Sequence, residues 1–86
     1  MMLEAFITNL GRYNEGYLDG AYLKLPAEKE DVQALLKKIH VDGVRYEEIF
    51  ITDYETDVPG LYDCLGEYES IDELNHLAHV LQEVED

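Results

Sequence analysis

Apolar and polar positions alternate over two stretches of the first 25 residues, the pattern of half-buried strands. Leu3, Ala5 and Ile7 share one face of a strand over Leu3–Leu10, opposite Glu4, Phe6 and Thr8. Ala21, Leu23 and Leu25 alternate with Tyr22 and Lys24 until Pro26 ends a second strand. The polar segment between them contains Gly11, Gly16 and Gly20 and predicts a loop or wide hairpin connection. The period then changes. Val32, Leu35, Leu36 and Ile39 recur at helical spacing and predict a helix over 28–39. Its acids (Glu28, Glu30, Asp31) lie in the first turn and Lys37 and Lys38 in the last, as the helix dipole favours. Asp42-Gly43 marks a turn.

Residues 46–54 predict a third strand, with Ile49 and Ile51 on one face and Tyr46, Phe50 and Tyr54 on the other. Bulky groups on both faces imply a strand covered on both sides, or a central one. Residues 56–66, with Pro59, Gly60 and Gly66, predict an irregular loop with one tight helical turn. Ser70-Ile71-Asp72-Glu73 is a capping box opening a last helix. Ile71, Leu74, Leu77, Ala78, Leu81 and Val84 fall in one arc of that helix, and Asp72, His76, His79, Glu83 and Asp86 in the opposite arc. The expected fold is α+β: a small three-stranded antiparallel sheet with one packed helix, followed by an acidic loop and a C-terminal amphipathic helix. Residues 1–66 would form the α+β domain, and residues 67–86 a helical extension that starts a second, helical region. No internal repeat or low-complexity tract interrupts this organisation.

Composition changes the picture chiefly through charge. Eighty-six residues suffice for one domain, and 47% hydrophobic residues with seven tyrosines exclude an acidic disordered chain. Twenty acids against six bases give a net charge of −14. Residues 1–41 hold six acids and five bases, whereas residues 42–86 hold fourteen acids and Arg45 alone. Such asymmetry opposes compaction, so it asks for a reason beyond solubility. It excludes direct binding to nucleic acid, which needs cations to displace the counterions of phosphate, and an anionic membrane would repel it. Cys64 is the one cysteine, which fits a reducing, cytoplasmic setting. The N-terminal residues lack the basic and apolar regions of a signal peptide, and no apolar run reaches membrane-spanning length.

Motifs for chemistry are weak. Asp53, Glu55 and Asp57 alternate like calcium-loop ligands, but the sixth and twelfth positions are Val58 and Cys64 rather than glycine and glutamate. His76 and His79 stand three apart on the wet face of a helix, where solvated polar residues are the plainer reading. Cys64 is read as a small packing group rather than a nucleophile. Residues 11–16 match neither phosphate-loop pattern, and their glycines are read as permitting unusual backbone conformations. No catalytic residue, metal or cofactor is assigned, and the chain is not expected to be an enzyme. What remains is the charge itself. From Asp72 to Asp86 a helix would rise about 21 Å and carry five carboxylates, roughly one per 4 Å, against about 3.4 Å per phosphate of one DNA strand. A rigid surface of that charge density can occupy a cleft built for duplex DNA, with a gain that weakens in salt.

Several patches resemble a known family. Phe6-Ile7-Thr8-Asn9-Leu10-Gly11-Arg12-Tyr13-Asn14-Glu15-Gly16, followed by Gly20-Ala21-Tyr22, resembles the opening of ArdA-type antirestriction proteins. Ile51-Thr52-Asp53-Tyr54-Glu55 is similar to that family's acidic segment, with Thr52 where a histidine is frequent, and residues 68–75 are similar to the start of its helical middle region. The resemblance implies a protein of phages and mobile elements that imitates bent DNA and blocks the DNA-binding groove of type I restriction–modification enzymes. It carries Asp53 and Glu55 over as partner-binding residues. Asp57, Asp63, Glu67, Glu69, Asp72 and Glu73 join them as phosphate mimics by charge alone, and Tyr13, Asn14, Gly16 and Gly20 are loop-shaping residues. Family members continue past this helix into a second acidic domain with a dimer interface, beyond these 86 residues. An apolar helix face left uncovered by its absence would drive self-association. The alternative reading is an acidic adaptor that docks through the apolar face of its C-terminal helix.

Overall fold

The computed structural model describes residues 2–44, 46–67 and 69–85. Three strands, β1 (Leu3–Asn9), β2 (Gly20–Lys24) and β3 (Ile49–Thr56), form an antiparallel sheet in the order β2-β1-β3. Four helical segments connect or follow them: α1 (Leu10–Asn14), α2 (Lys29–Lys38), a 3-10 turn (Tyr62–Cys64) and α3 (Ile71–Glu85). The expected α+β architecture is present, with boundaries within a few residues of those the periodicity predicts.

One face of the sheet is the core. Leu3, Ala5 and Ile7 of β1 are fully buried between Leu23 of β2 and Ile51 and Tyr54 of β3. Leu35 of α2, Ile39 at its C-cap, and Leu74 and Ala78 of α3 join the same apolar cluster, so both long helices cover that inner face. The α2 stripe read from sequence is the one that packs. A second tie holds α3. Asn75 accepts a hydrogen bond from the Ala27 N–H at 2.7 Å and donates to the Ala27 carbonyl at 2.8 Å, grasping the backbone just before α2. The Ser70 hydroxyl accepts from the Glu73 N–H at 3.0 Å, the N-cap half of the predicted box, and starts the helix.

Three expectations are corrected. The polar segment after β1 is not all loop, because residues 10–14 form α1. Asn9 causes this: its side chain, fully buried, accepts from the Arg12 N–H at 3.0 Å as the N-cap and donates to the Ile39 carbonyl at 3.0 Å. The third strand begins at Ile49 rather than Tyr46; of the two readings of its bulky faces it is the covered strand, flanking the sheet, while β1 is central. Phe50 is bulky on the outer face because Tyr13 of α1 covers it edge-on, with ring centroids 5.1 Å apart. Finally, Tyr54 shares the inner face with Ile51, three residues away. Pairing runs from Phe6 with Asp53 directly to Ile7 with Ile51, so Thr52 is an extra residue, a β-bulge. Side-chain parity reverses at the bulge.

The end of α2 is a Schellman motif. The Val41 N–H donates to the Leu36 carbonyl at 2.9 Å and the His40 N–H to the Lys37 carbonyl at 3.2 Å. His40 holds the left-handed position, φ 66°, where glycine is the usual occupant. Asp42 then closes the predicted turn, its side chain accepting from the N–H groups of Val44 and Tyr46. Among the described residues no helix is long and apolar enough to cross a membrane.

Candidate functional site

The outer face of the sheet is where the strands bring chemistry together. Strict alternation from Ile51 would turn residues 53 and 55 into the core. The bulge at Thr52 turns them out, placing Asp53 beside Phe6 and Glu55 beside Glu4. Across β1, Phe6 is paired with Tyr22 and Glu4 with Lys24. The face therefore carries two rows, Lys24–Glu4–Glu55 and Tyr22–Phe6–Asp53. The Thr52 hydroxyl meets the Thr8 hydroxyl at 3.1 Å and fastens the bulge to the central strand.

Two aromatic rings shape this face. Phe6 and Tyr22 meet edge to face, with centroids 4.9 Å apart, and the Tyr22 hydroxyl donates to Asp53 Oδ2 at 3.0 Å. The Asp53 Oδ1 accepts from the Tyr54 N–H at 2.9 Å. Gly20 makes room for Phe6: a Cβ there would lie 2.6 Å from its ring and 2.8 Å from the Ile7 carbonyl oxygen. Close approach, not backbone freedom, is thus the reason for glycine at position 20, whereas Gly16 does hold a positive φ of 96°. The Asp53 hydrogen bond pushes the Tyr22 hydroxyl up to about 12, with desolvation and the charges of Asp53, Glu55 and Glu4 adding to it.

The remaining predicted residues extend from this face toward α3. Asp57 joins the ends of β1 and β3, where its Oδ1 accepts from the Met2 N–H at 2.8 Å. Asp63 is exposed on the 3-10 turn, and Asp72 and Glu73 are exposed in the first turn of α3, where they also suit the dipole. The chain returns to β3 at Glu67, whose carbonyl accepts from the Ile51 N–H at 2.7 Å while its side chain stays exposed. Beside it the buried Tyr54 donates its hydroxyl to the Gly66 carbonyl at 2.6 Å. Burial, then the nearby Glu69 charge, pushes that hydroxyl up to about 12. The fold thus gathers Asp53 and Glu55 with Glu4 and places Glu69 near the Tyr54 hydroxyl, while Asp57 lies at the ends of β1 and β3, Asp63 on the 3-10 turn, and Asp72 and Glu73 at the start of α3.

Glu4, Phe6 and Tyr22 were absent from the residues proposed from sequence. The alternation along β1 and β2 marked them as outward-facing, but only the strand order shows that they flank Asp53 and Glu55. Among the described residues, no group of three His, Cys, Asp or Glu side chains is placed to hold a metal ion. Cys64 is exposed and not a packing group, its thiol turned to the Gly60 carbonyl at 3.5 Å. His76 and His79 are exposed on α3, as its polar arc predicts.

Basic groups gather elsewhere. A cleft of about 690 Å³ beside the end of α2 is lined by Arg12, Lys37, His40, Leu36, Val41 and Tyr46, among others. Arg12 donates to Asp19 at 2.8 Å and lies 4.1 Å from the centroid of the Tyr17 ring, and its hydrogen bonds, first to Asp19 and then to Tyr46, hold it still more firmly protonated.

A family model described as antirestriction protein (ArdA) matches residues 5–86. The chain belongs to the ArdA antirestriction family. The match takes in the outer sheet face except Glu4, together with all eight carboxylates proposed from sequence. No curated protein and no solved structure matches the chain. ArdA proteins are antirestriction inhibitors rather than an enzyme family, so the relevant interaction of this chain is with restriction–modification enzymes.

Proposed function

We propose that this ArdA-family chain blocks type I restriction–modification enzymes by presenting carboxylates, in place of phosphates, to their DNA-binding groove. The reading is carried by one observation: the Thr52 bulge turns Asp53 and Glu55 outward in the half of the chain that holds fourteen of the twenty acids. Glu55, Asp57, Asp63, Glu67, Asp72 and Glu73 are all exposed, which suits groups that meet a partner's lysines and arginines. The Cα trace is a slab of 41 × 26 × 15 Å. Its long dimension spans the rise of about 12 phosphates along one strand of duplex DNA. The gain on binding comes from cations of the partner and from released ions, so it falls with salt. Such inhibition takes place in the cytoplasm, where the target enzymes meet incoming phage or mobile-element DNA.

The test is competition. Labelled duplex with a type I recognition site is bound to its methyltransferase core, and the protein is titrated in at low and high salt. Displacement that weakens steeply with salt is expected, and the triple variant Asp53→Lys, Glu55→Lys, Asp57→Lys should weaken it at least about 10-fold at low salt. Polar substitutions at Leu77 and Leu81, half-buried on α3, should leave it unchanged in a folded variant. Absence of displacement by folded protein at any salt would overturn the proposal, and loss through Leu77 and Leu81 alone would overturn it in favour of docking through the helix.

A further inference from the structure

We propose that Tyr22 is a positioning residue of the inhibitory surface, its hydroxyl holding the Asp53 carboxylate at one place above the central strand. The inference rests on the reading that Asp53 meets the partner. β2 and β3 lie on opposite sides of β1, so the Cα atoms of Tyr22 and Asp53 are two strand spacings apart, about 10 Å. A tyrosine is long enough to close that gap when its ring leans over the central residue. Here it does, crossing Phe6 at 4.9 Å and reaching Asp53 Oδ2 at 3.0 Å.

Each part of the bridge is held by another. Phe6 lies over Gly20, where any side chain would collide with its ring, and Tyr22 packs on the edge of Phe6. The other carboxylate oxygen of Asp53 takes the Tyr54 N–H at 2.9 Å. With one oxygen on a phenol and the other on the backbone, rotation about both side-chain bonds is restrained. A charge already held in place loses little freedom when a partner docks, which slows dissociation more than it speeds association. Tyr22 remains 42% exposed, so its hydroxyl serves the surface more than the core. A phenol raised to about 12 also stays protonated, and thus a donor, at every physiological pH.

The experiment is a double-mutant cycle on the full chain, with the methyltransferase core as partner and both dissociation constants and rates as readouts. Tyr22→Phe keeps the ring and the net charge. It is expected to weaken binding about 3- to 10-fold through faster dissociation, the size of effect that freeing one side chain produces. The association rate should stay at its wild-type value and the variant should stay folded, so that the loss lies in dissociation, which a merely structural role would not produce. In an Asp53→Ala background Tyr22→Phe should have no further effect. Alkaline absorbance titration supplies an independent check in the free protein. Tyr22 and Tyr54 are both late-titrating phenols; one of the two should vanish in Tyr22→Phe, and one should fall toward the ordinary tyrosine range in Asp53→Ala. If Asp53→Ala binds like wild type, Asp53 is no contact and this inference falls with that part of the functional reading. If Asp53→Ala weakens binding while Tyr22→Phe is silent, or acts equally in both backgrounds, positioning is overturned and the carboxylate surface stands.

Discussion

Asn75 offers the sharpest test of how the acidic helix is held. Its amide exchanges two hydrogen bonds with one residue, the N–H and C=O of Ala27, at 2.7 and 2.8 Å in a partly buried setting. Each such bond contributes about 0.5–1.5 kcal/mol net, so the pair contributes about 1–3 kcal/mol. Water reaches a partly buried site, which limits the added penalty for stranding the Ala27 groups, and about 2 kcal/mol is expected for Asn75→Ala. Against an overall stability of about 4–13 kcal/mol for 86 residues, that leaves the protein folded but lowers the melting temperature by about 8–16 °C. Asn75→Asp should cost at least as much at neutral pH, because an ionised oxygen would face the Ala27 carbonyl. That carboxyl would be raised in the folded state, so the lost stability should return relative to wild type as pH falls through its folded pKa and a proton restores the donor. Urea unfolding followed by far-ultraviolet circular dichroism gives the free energies, and hydrogen exchange of α3 amides tells local detachment from global unfolding. An Asn75→Ala variant within about 0.5 kcal/mol of wild type, with unaltered α3 protection, would refute the view that this amide anchors the helix.

Two further outcomes follow from the backbone and the tyrosines. His40→Gly removes the cost of a side chain at φ 66° and should stabilise the fold by about 1 kcal/mol, measured by the same urea titration. A destabilised variant would show that the His40 side chain, 4.0 Å from Asp19, contributes more than its conformation costs. At alkaline pH the folded-state pKa values of Tyr22 and Tyr54, about 12 each, lie above the unfolded value near 10. The unfolded chain releases those protons first, so their contribution is complete below about pH 10 and is lost as pH rises toward 12. Unfolding midpoints should therefore fall across that window, with a shallower fall in Tyr22→Phe and in Tyr54→Phe relative to each variant's own value at pH 9. A midpoint independent of pH there would contradict the raised hydroxyls, Tyr22 by its bond to Asp53 and Tyr54 by burial.

The chain itself determined whatever depends on neighbours in sequence. The alternation of Leu3, Ala5 and Ile7 marked the buried face of β1, because side chains of a strand alternate whatever it pairs with. The stripe from Val32 to Ile39 and the Ser70–Glu73 box marked two helices for the same local reason. Charge asymmetry, a property of composition, pointed to a cationic protein partner before any fold was known. The Asn9 cap of α1 was not read from the sequence: an asparagine three residues before Arg12 is a local cap signal, but the segment's glycines predict a loop.

Tertiary structure decided the rest. A bulge exists only between paired strands, so Thr52 looked like one step in an unbroken alternation, and the faces of Tyr54, Asp53 and Glu55 depended on the register with β1. The same pairing made neighbours of Tyr22, Phe6 and Asp53, which lie up to 47 positions apart in sequence, and gave Gly20 its reason for lacking a side chain. The grip of Asn75 on Ala27 is also non-local: an asparagine on a helix carries no mark of the carbonyl it will meet. Local pattern thus determined which elements form. Packing between distant segments determined which carboxylates share a surface and what holds them there.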